Sequence, residues 1–505
     1  MLNCTKRHFL LIWSFALSAL FIGICSKSSP LYPMNDWVDV NCFFTMGRSL
    51  LDGLVPYRDL YEQKGPVLYF VYAIISLFSR DSYWGVYLLE VVAFGLFLYY
   101  SGKLAQLFLG KSRIIYLLLA FLAAPIVTSW SFTHGGSVEQ NTLFMLVYGM
   151  YSVLRAIKER RGLTFREALV NGIFAGILLW SKYTMLGFYL GLALFVLLWY
   201  LADPALRRKL LATIGQFFLG ILAVSGIVFL YFGYHGALED LFTTYFYNNI
   251  FLYPTETDGS RLKLIYDCVK AAIKNNRNFT WFLWIGLVWL VCQLRARWRT
   301  VVMPILCFLG LMAGTYWGGK GFDYYGLVLA AFCIYGLVGL VSFLRYVGFF
   351  RLLRQAFGNA TVLAGIAISL AACILLATTW TTNPNRYLIG QSRENTVQYR
   401  FAEIIKAVDD PTLLNYGFLD GGFFYAGDAT PACRFYCYFN INAPDMWENQ
   451  RQCIESGDAD FIVTRKYSLD KYSVDASKYQ LVDVASQHFN KDLVFVYYLY
   501  QRIPQ

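Results

Sequence analysis

The stretch Gly65-Pro66-Val67-Leu68-Tyr69-Phe70-Val71-Tyr72-Ala73-Ile74-Ile75-Ser76-Leu77-Phe78-Ser79 decides the topology of this chain. It is apolar enough to enter a membrane, yet its 15 residues fall short of the roughly 20 that a spanning helix needs. If it crossed, every later connection would change sides. The basic residues argue that it does not. Lys6/Arg7, Lys111/Arg113, Arg155/Lys158/Arg160/Arg161, Arg207/Arg208/Lys209, Arg295/Arg297/Arg299 and Arg345/Arg351/Arg354 follow alternate apolar windows. Cytoplasmic loops collect Lys and Arg, so all six clusters belong on that side. The pattern holds only if 65–79 is a juxtamembrane helix inside one long outer loop, 27–83.

Working outward, apolar windows lie near 8–26, 84–109, 114–130, 141–157, 168–181, 183–201, 210–232, 280–294, 301–317, 325–343 and 359–379. They predict about eleven transmembrane helices, with a cytoplasmic N-terminus and everything after residue 380 outside. The first window has the look of a signal peptide. Ile24-Cys25-Ser26 offers no small-x-small cleavage site, so it reads as an anchor. The expected domains are a transmembrane one, 1–379, and an extracytoplasmic one, 380–505. The second is polar, helix-like over 396–408 and strand-like over 412–419, 460–464, 480–485 and 492–499. The fold class is therefore an α-helical polytopic membrane protein with a small C-terminal α/β domain.

Composition agrees. Of 505 residues, 57% are hydrophobic and only 15% charged, and the mean hydropathy is +0.46. A soluble domain carries about a quarter charged residues, so disorder, fibres and a soluble nucleic-acid binder are excluded. The net charge of +11 is that of cytoplasmic loops rather than of a polyanion-binding surface. Cysteines inside predicted helices read as small apolar fillers. Cys433, Cys437 and Cys453 share the outer domain, while Cys42 and Cys268 lie in outer loops. A disulfide among the tail three is open in an oxidising compartment, with free thiols as the default. Cys433-x3-Cys437 lacks the second pair or His cluster that a metal site would need.

Carboxylates near a membrane surface are informative because burying one is costly. In Asn35-Asp36-Trp37-Val38-Asp39-Val40, a helix would place Asp36 and Asp39 on one face. Asn35 or Asp36 would also serve as a helix cap. Asp39, among Trp, Val and Phe, is the stronger functional candidate. Glu139 follows His134-Gly135-Gly136-Ser137-Val138 at the start of an apolar helix, where the helix dipole alone would account for it. Lys64, Lys182 and Lys320 fall on the same outer side. Lys182 would merely snorkel on the bland reading. Lys320 sits between Gly319 and Gly321, where a ligand can approach the backbone closely. Carboxylates and lysines at one membrane face suit a substrate with a lipid-linked phosphate.

Asp39-x3-Phe43, Gly47-Arg48-x2-Leu51-x-Gly53-x2-Pro56-Tyr57-Arg58-Asp59 and Lys64-Gly65-Pro66-x2-Tyr69 resemble the first outer loop of C-type (GT-C) glycosyltransferases. The likeness is to the bacterial branch related to protein O-mannosyltransferases and aminoarabinose transferases. Gly135-Gly136-x2-Glu139 resembles that branch's second acidic motif, and Gly319-Lys320 through Tyr325 its late outer loop. The tail segment Asn415-Tyr416-Gly417-Phe418-Leu419-Asp420-Gly421-Gly422-Phe423 resembles the outer domain of such proteins in Gram-positive bacteria, with no role assigned. Two departures stand out: Asp39 precedes Val40 rather than Glu, and Asp323 stands where His is common.

The resemblance implies an inverting hexosyl- or pentosyltransferase at the outer face of the cell membrane. It would move sugar from a polyprenyl-phosphate donor to a glycan, glycolipid or protein acceptor of the cell envelope. Asp39 and Glu139 are the expected catalytic residues, within the first outer loop 27–83 and the second motif. Asp36, Arg58, Lys64, Lys182, Lys320 and Tyr324 are expected to bind substrate. No metal or other cofactor and no nucleic acid is expected, and the lipid bilayer is a partner throughout. The alternative is a transporter or flippase of a lipid-linked saccharide, for which Glu90 is the clearest deep charge.

Overall fold

Within hydrocarbon each backbone N–H and C=O must be satisfied inside its own segment, which makes apolar runs helical. The computed structural model describes residues 2–254, 260–349, 351, 360–488 and 494–504. Arg354, residue 359 and the first two residues of the 492–499 run lie outside that set. Helices occupy every window: α1 Leu2–Cys25, α4 Trp84–Leu109, α5 Ile114–Val127, α6 Val138–Lys158, α7 Phe165–Lys182, α8 Gly187–Ala202, α9 Leu210–Tyr234, α11 Arg277–Tyr316, α12 Cys333–Tyr346 and α13 Ala360–Thr382. Two shorter helices, α2 Val38–Leu51 and α3 Pro66–Ser76, occupy the first loop, and α10 is Arg261–Asn275. Six helical runs among the described residues are long and apolar enough to cross a membrane.

Two apparently continuous runs reverse direction. Phe165–Ala202 is apolar over 38 residues. Lys182, however, leaves helical geometry at φ −155°, ψ 81°. The far ends then meet, since the Leu163 N–H donates to the Tyr200 hydroxyl at 2.8 Å. α7 and α8 are thus a hairpin with Lys182 at its turn. In α11, Arg297 (φ −146°, ψ 50°) plays the same part. Before it, Phe279 and Gly286 lie against Cys333 and Gly336 of α12. After it, Phe308 and Tyr316 meet Phe332 and Tyr325, so the second arm runs back.

The chain forms two units. The first comprises Met1–Ser29, Tyr87–Gly226 and Glu256–Tyr387. Its helices α8 and α11 cross in near-backbone contact, where a Cβ on Gly187 would lie 2.0 Å from the Gly310 carbonyl oxygen. Small residues at such crossings let helices pack where the hydrophobic effect gives no drive. Basic groups gather at one end of this unit: Lys158 Nζ donates to the Leu107 carbonyl, and Arg345 to that of Leu109 at 3.2 Å. Glu139, Lys182 and the Ser131–Asn276 contact (3.1 Å) mark the opposite helix ends.

The second unit comprises Pro30–Val86, Ile227–Thr255 and Leu388–Gln505. A five-stranded mixed sheet, β1 Thr412–Tyr416, β2 Thr430–Pro431, β3 Phe461–Arg465, β4 Tyr479–His488 and β5 Val494–Arg502, has the order β2-β1-β3-β5-β4. β1 pairs in parallel with β2 and β3, and β5 runs antiparallel to both β3 and β4. Leu414, Ile454 and Ile462 are fully buried in its core. In the same unit α2 crosses α3 at Gly47, where a Cβ would come within 2.6 Å of the Tyr72 backbone. Pro66 opens α3 at a position that needs no N–H.

Candidate functional site

Asp39 stands in the first turn of α2, where the positive end of the helix dipole favours a carboxylate. Its entry is fixed by Asn41, whose amide donates to the carbonyls of Asn35 (3.1 Å) and Trp37 (3.0 Å). The helix begins at Val38 with Trp37 as its cap and no side-chain capping bond. Asp36 therefore precedes the helix and shares no helical face with Asp39, and neither Asn35 nor Asp36 caps it as the sequence suggested.

Lys64 is the partner of Asp39, with Nζ 3.7 Å from Oδ2. That is an ion pair without a hydrogen bond, and the buried Oδ2 has no hydrogen-bond partner among the described residues. The Phe43 ring lies 5.9 Å from the ammonium. Around Lys64 the backbone is tied down. Its N–H donates to Glu62 at 2.8 Å, and its carbonyl accepts from the Tyr57 hydroxyl at 2.6 Å. The Tyr69 hydroxyl bonds Glu62. Burial pushes the Glu62 carboxyl above the usual range, with Lys64 acting against it and Asp39 adding to it. Glu62 is a site residue that sequence reading passed over, although it lies two positions from Lys64 in the same motif.

The rest of that motif is architecture. Tyr57 takes a positive φ of 72°, rare outside glycine. Its carbonyl is gripped by Arg434 at 2.9 Å, and its ring stacks on Phe232. Arg48 is buried in an ion pair with Asp428. Arg58 is bound to Asp59 at 2.9 Å and to the His235 carbonyl at 2.9 Å, rather than to Asp39. A π-helix, Phe242–Leu252, adds the Asn249 amide to the Gln63 carbonyl at 2.7 Å. Such helices recur at functional sites.

The tail segment without an assigned role braces α2. Thr45 donates to Asp420 at 2.6 Å, and Asp420 accepts the Gly422 N–H at 2.8 Å. Burial raises the Asp420 pKa to about 6. All ten cysteines described are free, yet Cys42 bonds Cys437 and Cys433 bonds Cys453. The tail thiols thus meet one partner inside the tail and one in α2.

In the helical unit, Ser137 caps α6 by accepting the Gln140 N–H at 3.1 Å. Gly135 and Gly136, at φ 74° and 73°, form the turn before it. Gln140 donates to Glu90 at 2.8 Å and accepts the Gly136 N–H at 3.1 Å. Glu90 therefore has a supporting role for this turn. Glu139, next in the helix, is fully buried and paired with Lys182, and its Oε2 has no hydrogen-bond partner among the described residues. The Lys182 ammonium lies over the Tyr325 ring at 3.5 Å and the Tyr324 ring at 5.2 Å. Lys182 is thus a buried, bonded cation rather than a snorkelling one. Tyr325, quoted in the late-loop motif, is the nearer ring. Lys320 is half-buried in a loop whose Gly319 carbonyl receives the Cys268 thiol at 3.8 Å. Among the described residues no group of three His, Cys, Asp or Glu could hold a metal ion.

No protein-family model and no curated protein matches the chain. Solved structures do. ArnT from Cupriavidus metallidurans bound to undecaprenyl phosphate matches with TM-score 0.60 at 14% identity, covering 98% of each chain. Its apo state matches at 0.59, also with 14% identity and 98% of each chain covered. The archaeal oligosaccharyltransferase AglB from Archaeoglobus fulgidus, in complex with an inhibitory peptide and a dolichol-phosphate, gives 0.51 at 11% identity over 91% of this chain and 70% of its own. ArnT is an aminoarabinose transferase, and both are GT-C glycosyltransferases. The likeness is one of fold: this chain is a multi-pass membrane protein with the GT-C architecture and a small C-terminal sheet domain.

Proposed function

We propose that the chain is an inverting glycosyltransferase that takes sugar from a polyprenyl-phosphate donor at the outer membrane face and passes it to a cell-envelope acceptor. One observation carries the reading. Asp39 is a largely covered carboxylate whose Oδ2 makes no hydrogen bond among the described residues and lies 3.7 Å from the ammonium of Lys64, which a heavily tied loop holds in place. An acceptor hydroxyl must lose its proton as it attacks the anomeric carbon, and that carboxylate is the group to take it. The bond from the anomeric carbon to the phosphate oxygen breaks, and the electron pair leaves with polyprenyl phosphate. The leaving group is a phosphate already, so it needs cations rather than an acid. Lys64, 3.7 Å from Asp39, is a point charge for phosphate. In the helical unit, Lys182, fixed by Glu139 and Tyr325, is a pre-positioned cation, and it, Lys320 and Tyr324 are the substrate contacts proposed there. Asp36 has no proposed chemical step, and Arg58 serves through the 56–59 turn. The transporter reading, which rests on the many helices and the outer lysines, gains nothing from Glu90, whose Oε2 is held by Gln140 at 2.8 Å.

The test is a panel of radiolabelled polyprenyl-phosphate sugars offered to the protein in lipid with crude membrane acceptors. Release of free polyprenyl phosphate from one donor is expected and identifies the sugar. No release from any donor by folded, lipid-bound protein would contradict the proposal.

A further inference from the structure

A cavity of about 650 Å³ opens at the basic end of the helical unit, where the ends of α4 and α6 meet the break in α11. Lys158, Arg160, Arg297 and Arg299 line it, and no carboxylate does among the described residues. The neighbouring acids are already engaged: Glu159 by Arg155 (2.8 Å) and Arg161 (2.7 Å), and Glu167 by Arg161 (2.7 Å). Arg299 Nε is buried with no hydrogen-bond partner among the described residues. Two of the four cations stand at backbone breaks, Arg160 at φ 51° and Arg297 at φ −146°. An arginine at positive φ costs energy that glycine would avoid.

The remaining lining is apolar and interfacial. Leu154, Ile157 and Phe108 contribute hydrocarbon, and Trp298 lies against the Arg299 guanidinium at 5.5 Å. Tryptophan favours the headgroup level of a bilayer. We propose that this cavity binds the phosphate of an anionic glycerophospholipid, with the arginines on the headgroup and the apolar side along the first acyl carbons. Basic pockets between transmembrane helices recognise such headgroups. A free phosphate would use the same cations but not the hydrocarbon.

The full chain would be placed in phosphatidylcholine nanodiscs with increasing phosphatidylglycerol. Retained lipid is counted by native mass spectrometry, and the Tm is followed in parallel. Wild-type protein is expected to retain phosphatidylglycerol over phosphatidylcholine and to gain Tm with it. Removing a cation should weaken retention about fivefold, so Arg297→Gln with Arg299→Gln should weaken it roughly 25-fold. Arg160→Gln alone, outside the helix contacts, should give the single step and covers the case in which the double variant fails to fold. Arg207→Gln with Arg208→Gln should leave retention unchanged. Wild-type retention by Arg160→Gln, or by a folded double variant, overturns the proposal. So does an equal gain in Tm from inorganic phosphate alone, which would make this a free-anion site.

Discussion

Two acid–lysine pairs in this molecule look alike in sequence and differ in construction. In one, Asp39 and Lys64 sit 3.7 Å apart, too far for a hydrogen bond between them, with side chains 15% and 14% exposed. In the other, Glu139 and Lys182 are in direct contact at 0% and 6% exposure, with the lysine pressed onto Tyr325. A buried pair with full contact is costly to break, because the surviving charge is left without compensation. A looser pair near water costs little to separate, and its groups are available to a substrate. The contrast is the reason the proposal gives proton transfer to Asp39 and a fixed positive charge to Lys182.

The largest expected effect comes from Asp39→Asn, which should lower transfer by about 10²–10⁴-fold with no change in Tm. Next, Lys182→Met should destabilise the fold by about 3–5 kcal/mol in a detergent denaturation series. Glu139→Gln with Lys182→Met should recover most of that, since no charge is then stranded. If the single variant were as stable as wild type, the two pairs would not differ in kind.

Asp420 gives a pH-dependent comparison within the brace of α2. Its folded pKa of about 6 lies above its ordinary 3.8, so the folded state holds the proton more tightly. Its stabilising contribution is complete below the lower value and is lost as pH rises through the upper one. The difference corresponds to roughly 3 kcal/mol at full ionisation. Asp420→Asn should therefore be more stable than wild type at pH 7.5 by up to about that amount, with the gap closing near pH 4 in thermal melts. The smallest effect is on stability in Lys64→Met, below about 1 kcal/mol, because its pair makes no hydrogen bond. Its loss should fall on the transfer rate instead.

Much of this fold is written locally. The apolar windows and the clusters between them are short-range patterns, and 65–79 could be set apart from the spans by length and charge alone. The structure makes that stretch a separate helix, Pro66–Ser76. The reversals at Lys182 and Arg297 were also legible, one as a lone lysine between two apolar windows and the other inside the cluster Arg295/Arg297/Arg299. The partners were not. Glu139 and Lys182 are 43 positions apart, and Thr45 meets Asp420 across 375. Which cation faces which carboxylate is set by tertiary packing, on which hydropathy is silent. The first-loop motif hid its pairings in the same way. Arg58 was expected at the substrate, and its guanidinium is paired with Asp59, while Arg48 of the same motif is paired with Asp428. Glu62 escaped notice because a glutamate in a polar loop is ordinarily solvated, whereas here Tyr69 and the Lys64 backbone enclose it.

The most direct measurement is a single-turnover assay on protein preloaded with its donor, comparing Asp39→Asn with Glu139→Gln. Donor binding at the wild-type level by Asp39→Asn, with transfer reduced by about 10²–10⁴-fold, is the predicted result. Glu139→Gln should instead show weakened donor binding and a smaller loss of rate once donor is bound. Wild-type transfer by Asp39→Asn would contradict the assignment of the base and, with it, the distinction between the two pairs.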